Sequence, residues 1–384
     1  MYPLVLFLSL NIFFFSWVNV FHSAVPFNRY EYLYNANHYI QDPRIAGKNF
    51  SLVNALGQYD GQWYLKIADK GYPDHPSSPL QGKEKTMNGL LYNFFPLYPI
   101  CIAVVNFFIR NVQLSAFILG NFILLSCVYS IYFVVSQWFS KQVAIKTILL
   151  LLLFPFSVFL RGYYAEGLRL LLFIWFCYGL AQKNYFFAAI TVGLLGVTSG
   201  ISLLLLPFYY GLLWFYRKRK KLSLRKIFLY AGVAILPFFL WILFCYIHTG
   251  NPFIFVETRD AWYRPPFFPL LYNIELIFRY PWLPTIALYG SKLDVMCIVV
   301  TLCITYLSKN VLPKVVWLAT IVLAFSPLLV QDSISFARFI TVLFPFFVYL
   351  AVSLKKNYYI ILVGFFTVGL LFSSLYFINW YWIE

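Results

Sequence analysis

Long apolar runs, separated by short polar stretches, recur from one end of the 384-residue chain to the other. Runs long enough to cross a bilayer are expected at residues 1–21, 93–109, 114–137, 143–160, 165–181 and 185–215. Five more follow at 227–247, 285–307, 313–330, 339–354 and 358–378. The pattern predicts an all-α, polytopic transmembrane bundle of about eleven helices. Run 185–215 is long enough to tilt, to kink at Pro207, or to continue past the membrane. The first run has neither a basic leader nor a small-residue cleavage signal, so it is expected to stay as the first helix.

Between the first two runs lies the longest polar segment, about residues 22–92. It carries Glu31, Asp42, Asp60, Asp69, Asp74 and Glu84, six of the chain's thirteen acids. A polar loop of this length in a compact membrane protein is usually functional. Within it, residues 59–70 have the spacing of a short amphipathic helix. Trp63, Tyr64, Ile67 and Ala68 fall on one side, suited to the membrane interface. The expected organisation is one polytopic domain, 1–384. Helix 1–21 is followed by outer loop 22–92, bundle 93–216, a basic loop at 217–226, and a second bundle 227–384 with an outer loop at 248–284.

Composition agrees: 62% of residues are hydrophobic, 22% aromatic and only 11% charged, with a mean hydropathy of +0.75. A soluble domain is closer to half apolar and a quarter charged. The net charge of +16 would suggest nucleic acid in a soluble protein. Here basic cytoplasmic loops account for it, and no nucleic-acid partner is expected. The six cysteines form no CxxC pair, so spacing indicates neither a zinc site nor a disulfide framework.

Arg217-Lys218-Arg219-Lys220-Lys221 reads as a cytoplasmic loop, with anionic-lipid binding as the alternative. Alternation then puts loops 22–91, 248–284 and 331–338 together on the opposite face, where chemistry is expected. Simple alternation also puts the turn at 161–166, with Glu166, on the cytoplasmic side. Glu166 moves to the face of Asp60 if one of the preceding segments does not cross fully.

Spacing leaves two readings of Asp60 open. A carboxylate at a lipid boundary is costly and usually functional, yet Asp also caps short helices. The residues around it add more. Tyr59-Asp60-Gly61-Gln62-Trp63-Tyr64-Leu65-Lys66-Ile67-Ala68-Asp69-Lys70-Gly71-Tyr72 resembles the first-loop motif of the PIG-V-type mannosyltransferases and their prokaryotic relatives. Phe94-Phe95-Pro96-Leu97-Tyr98-Pro99 resembles the element that opens the family's second helix. Tyr164-Ala165-Glu166-Gly167-Leu168, Thr249-Gly250-Asn251-Pro252 with Trp262 downstream, and Arg338-Phe339 with Phe344-Pro345 match further elements in the family's order. Ala165 and Gly167 stand where serines are usual, and Lys70 where a His is common. Thr198-Ser199 lie where an Arg is often found. These departures bear on the identity of the sugar.

The resemblance implies a GT-C glycosyltransferase: a polytopic enzyme taking a sugar, here a hexose such as mannose, from a polyprenyl-phosphate carrier on the non-cytoplasmic face. The implied acceptor is a glycan, glycolipid or protein. Transfer builds positive charge on the sugar, and the acceptor hydroxyl must lose a proton, for which Asp60 is the candidate base. Glu166 is the second candidate carboxylate, with pairing to Arg161 or Arg169 as its structural alternative. Arg338 is the first candidate for the leaving phosphate, with an interfacial snorkelling role as the alternative; Arg259 is a weaker one. Trp63, Tyr92 and Trp262 are candidates for sugar or lipid contact. No cofactor is expected beyond the lipid-linked donor; a divalent metal could serve the phosphate, but no acidic pair in the first loop has ligand-like spacing. The competing classes are a transporter of a lipid-linked sugar, which should show inverted repeats or broken polar helices near the midplane, and a non-catalytic membrane scaffold subunit. The short loops favour a plasma membrane, with the endoplasmic reticulum as the alternative.

Overall fold

The computed structural model describes residues 2–35, 39–73, 89–219, 222–261, 292–330 and 335–383. All regular structure among them is helical: α1 (Tyr2–Phe21), α2 (Arg29–Asn35), α3 (Leu52–Ala55), α4 (Asp60–Lys70), α5 (Leu97–Ile109), α6 (Val112–Trp138), α7 (Lys141–Leu153), α8 (Glu166–Ala181) and α9 (Tyr185–Gly196). The series continues with α10 (Leu205–Lys218), α11 (Leu224–Thr249), α12 (Ile254–Ala261), α13 (Lys292–Leu307), α14 (Lys314–Val330), α15 (Phe336–Phe339), α16 (Phe344–Ser353) and α17 (Lys356–Ile378). Several helices start where the sequence supplies a cap. The side chains of Asn111, Ser140 and Ser223 accept from the backbone N–H groups of Leu114, Val143 and Lys226, at the starts of α6, α7 and α11.

Among the described residues, five stretches are long and apolar enough to cross a membrane: α1, α6, α11, Leu293–Asn310 and α17. A sixth is added if the broken pair Phe336–Val342 and Phe344–Ser353 counts as one span. The chain is a multi-pass membrane protein.

Three expected spans are not single helices. The run at 143–160 stops at Leu153, because Phe154 is extended (φ −56°, ψ 137°) ahead of Pro155, and continues as the 3-10 segment Pro155–Leu160. A residue before proline avoids the helical region. The 13 residues of α7 span about 20 Å, short of the roughly 30 Å hydrocarbon core. The run at 185–215 breaks after Gly196 and resumes through a 3-10 turn at Gly200–Leu204. Pro207, where a kink was expected, sits in the first turn of α10, where proline is tolerated. The run at 339–354 is interrupted at Leu343, whose backbone is non-helical. The expected span 285–307 is described only from Lys292 onward, as α13.

The chain divides into two compact units. One comprises Met1–Gly71, Tyr98–Leu171 and Phe346–Ile383; the other comprises Tyr72–Leu97, Leu172–Pro345 and Glu384. In the first, α17 packs on the 3-10 segment Pro155–Leu160 and on α1, and α6 packs on α1 and α7. Contact is close: a Cβ on Gly369 would lie 2.6 Å from Pro155 Cγ. In the second, α9 packs along α11, and α12 covers the turn Gly89–Asn93. An aromatic cluster of Tyr92, Phe95, Trp241 and Phe255 lies at that contact.

Candidate functional site

Helix α4 begins at Asp60 itself, so the capping position falls on Tyr59, not on Asp60. Tyr59 has φ 47° and ψ −117°, a region that only glycine enters without strain. Strained residues of this kind persist only where their surroundings hold them, and they gather at functional sites. Asp60 is half-buried, while Gly61, Gln62, Trp63, Tyr64 and Leu65 after it are buried. The first half of α4 is therefore enclosed on all sides, rather than laid along an interface on one face. The Gln62 side chain closes the preceding turn: its Nε2 donates to the Gly57 carbonyl, and its Oε1 accepts from Ile40 N–H at 2.8 Å.

The turn carrying Glu166 is built onto this same loop. Tyr163 N–H donates to the Leu56 carbonyl at 3.1 Å. The Tyr163 hydroxyl donates to the Val53 carbonyl, and the Tyr164 hydroxyl to the Gln58 carbonyl at 3.0 Å. Gly57 is required for the approach, since a Cβ there would meet the Tyr163 ring at 2.8 Å. Two motifs a hundred residues apart thus interlock, and Glu166 lies on the face of Asp60. This corrects the placement by simple alternation. The break at Phe154-Pro155 is where the expected span 143–160 stops being a single helix ahead of this turn.

Glu166 opens α8 and is buried, with its Oε1 3.8 Å from Arg169 Nη1. Of the two arginines expected as its partner, Arg169 is the one. Arg161 instead ties the turn to α1 and to the end of α7. Its Nε donates to Asn11 Oδ1 at 2.9 Å, its Nη1 donates to Ser157 Oγ at 3.1 Å and to the Leu152 carbonyl at 3.3 Å, and its guanidinium lies over the Phe14 ring. A third motif joins through Tyr98, whose ring meets Tyr64 edge-on at 5.1 Å between centroids.

Of the other candidates, Trp63 belongs to the same helix as Asp60, and Tyr92 and Arg338 fall in the second unit. Trp63 is buried on α4, with the Lys66 ammonium 6.0 Å from its ring. Tyr92 is fully buried in the second unit, its ring against Tyr72 and its hydroxyl donating to the Pro73 carbonyl at 2.8 Å. Arg338 is buried in the last turn of α15, in the second unit. The next N–H back along that helix, on Ala337, donates to the buried carboxylate of Asp294 at 3.4 Å. Arg259 falls within α12, but its side chain, like Trp262, lies outside the described residues. Among the described residues no three His, Cys, Asp or Glu side chains gather as a metal site would.

Sequence reasoning passed over Asp42 and Arg44. Asp42 accepts from Arg44 Nε at 3.0 Å and from Arg44 Nη2 at 2.9 Å, a two-point ion pair. It also accepts from the Arg44 N–H, capping the turn Pro43–Ala46. The signal was present as Asp-Pro at a turn start. Charge in this loop is locally controlled. Burial raises the Tyr59 hydroxyl above its usual range, with the negative charge of Glu31 adding to it. The Tyr39 hydroxyl donates to Asp69 and lowers that carboxyl, helped by Lys70.

No family model matches the chain, and no curated protein matches it. Among solved structures, the chain is similar to the archaeal oligosaccharyltransferase AglB from Archaeoglobus fulgidus, in complex with an inhibitory peptide and a dolichol-phosphate. The TM-score is 0.43 at 10% identity, covering 83% of this chain and 51% of that one. The chain thus spans about half the length of that protein, and a likeness of this size leaves the reading of the site to its own residues.

Proposed function

We propose that the chain is a lipid-carrier-dependent glycosyltransferase. It moves a hexose, with mannose as the first sugar to test, from a polyprenyl-phosphate donor to an acceptor hydroxyl on the non-cytoplasmic face, inverting the anomeric centre. Asp60 takes the acceptor's proton as its oxygen attacks the anomeric carbon. The bond from that carbon to the phosphate oxygen breaks, and polyprenyl phosphate leaves with the electron pair. A positioned carboxylate contributes about 10²–10⁴-fold to such a step. Glu166 is the second carboxylate, orienting the acceptor. The leaving phosphate needs a cation, and the family resemblance offers Arg338 for it.

The observation that carries the reading is the interlock of residues 53–58 with Tyr163 and Tyr164. It gathers the acid-bearing turns of two resembling motifs around a half-buried carboxylate that follows a strained residue. The test is reconstitution of the purified chain in liposomes with polyprenyl-phosphate-mannose on one face and a hydroxyl acceptor. A new glycoside of inverted configuration supports the enzyme. Intact donor carried across with no glycoside formed supports a transporter.

A further inference from the structure

The segment that follows α17, Asn379 to Ile383, is woven into the loop that leads to Asp60. Arg44 donates through Nη2 to the Ile378 carbonyl at 2.7 Å and through Nη1 to Asn379 Oδ1 at 2.5 Å. Gln58, two residues before Asp60, donates to the same Ile378 carbonyl at 2.8 Å. Asn28 N–H donates to the Asn379 carbonyl at 2.9 Å, and Asn379 Nδ2 donates to the His22 carbonyl at 2.8 Å. Trp380 is 1% exposed, and its indole N–H reaches Asp42 Oδ2 at 3.4 Å. Its ring lies 5.0 Å from that of Tyr59, and Trp382 meets Tyr59 edge-on at 4.7 Å.

Both tryptophans thus close on the residue whose backbone is strained. Tyr59 cannot hold φ 47° by local preference, because a side chain there collides with its own backbone. Among the described residues its buried hydroxyl has no hydrogen-bond partner, so packing of the ring is what fixes it. We propose that Trp380 and Trp382 are positioning residues: they clamp the Tyr59 ring and thereby set the direction in which Asp60 leaves the loop. Asp42 and Arg44 are the bracket that holds this clamp. The consequence for transfer rests on the function proposed above, whereas the clamping of the loop does not.

The two are therefore tested separately. Hydrogen–deuterium exchange on the purified protein in detergent reads the clamp without any substrate. Trp380→Ala should speed exchange of the peptide covering residues 57–65 by about tenfold, the size of one or two aromatic contacts. Exchange in α6 should not change. Trp380→Phe should restore most of the protection. Glycine adopts a positive φ freely, so Tyr59→Gly added to Trp380→Ala should recover transfer that Tyr59→Ala does not. The loss in Trp380→Ala should fall on kcat more than on KM. Unchanged exchange at 57–65 in Trp380→Ala would overturn the clamp whatever the activity. If Trp380→Ala unfolds the whole chain, Trp382→Ala, which removes a half-buried ring, is read the same way: faster exchange at 57–65 supports the clamp, unchanged exchange overturns it. A wild type without transferase activity, but with exchange responding as described, would leave the clamp standing and remove the proposed function.

Discussion

Asp42 and Glu166 each face an arginine within the first unit, Asp42 at 2.9 Å and Glu166 at 3.8 Å. Asp42 meets Arg44 at two points, caps a turn, and accepts from Trp380. That is the geometry of a structural joint, with both carboxylate oxygens committed to short contacts. Glu166 is equally buried and pairs with Arg169 at the longer distance of 3.8 Å. It opens a helix on a turn clasped to the Asp60 loop. Charge alone does not distinguish the two acids, and the family resemblance flags only Glu166. The contacts make the Asp42 pair a joint of the loop, and the function proposed above is what gives Glu166 a role where that shape is used.

The comparison can be broken at several points. Asp60→Asn should have the largest effect, lowering transfer by about 10²–10⁴-fold while the melting temperature in detergent stays near wild type. A variant that melts early would make Asp60 part of the joint instead. Asp42→Asn breaks the two-point pair with Arg44 and weakens the turn cap, so a loss of about 3–5 kcal/mol is expected. Glu166→Gln loosens a pair held at 3.8 Å, so a smaller loss of about 1–3 kcal/mol is expected. Denaturation of the two variants side by side checks that order.

The smallest effect concerns Asp69, whose carboxyl is lowered by the Tyr39 hydroxyl and Lys70. A depressed carboxylate adds stability that is fully present above its unfolded value of 3.8. That stability is lost as the pH falls through the lower folded value. Asp69 is largely exposed, so Asp69→Asn should cost well under 1 kcal/mol at neutral pH. The difference from wild type should vanish in melts taken well below pH 3.8.

The long spans were legible in the sequence. Expected run 114–137 is α6, and 358–378 is α17 within two residues at its start. Hydropathy sees such helices because nothing within them interrupts the apolar pattern. It does not see the breaks at Phe154, at 197–199 and at Leu343, since the flanking residues stay apolar while the backbone turns. Pro155 was the available signal for the first break. Asp60 and Glu166 were visible as acids in motifs, but the clasp between the turns that precede them depends on backbone carbonyls at residues 53–58, which carry no mark in the sequence. Trp380 was passed over for a related reason: its partners Tyr32, Asp42 and Tyr59 lie more than three hundred residues away.

The central claim is that the Asp60 loop and the Glu166 turn are one structure. A Cβ built on Gly61 lies 3.5 Å from Tyr163 Cβ, at the near edge of the range that a disulfide spans. In the double variant Gly61→Cys, Tyr163→Cys, mild oxidation should join the two thiols. Mass spectrometry of the digested protein should then find their peptides linked in most molecules, with neither single variant giving a cross-link. Free thiols at both positions after oxidation would contradict the account, because the two acids would then belong to separate parts of the protein.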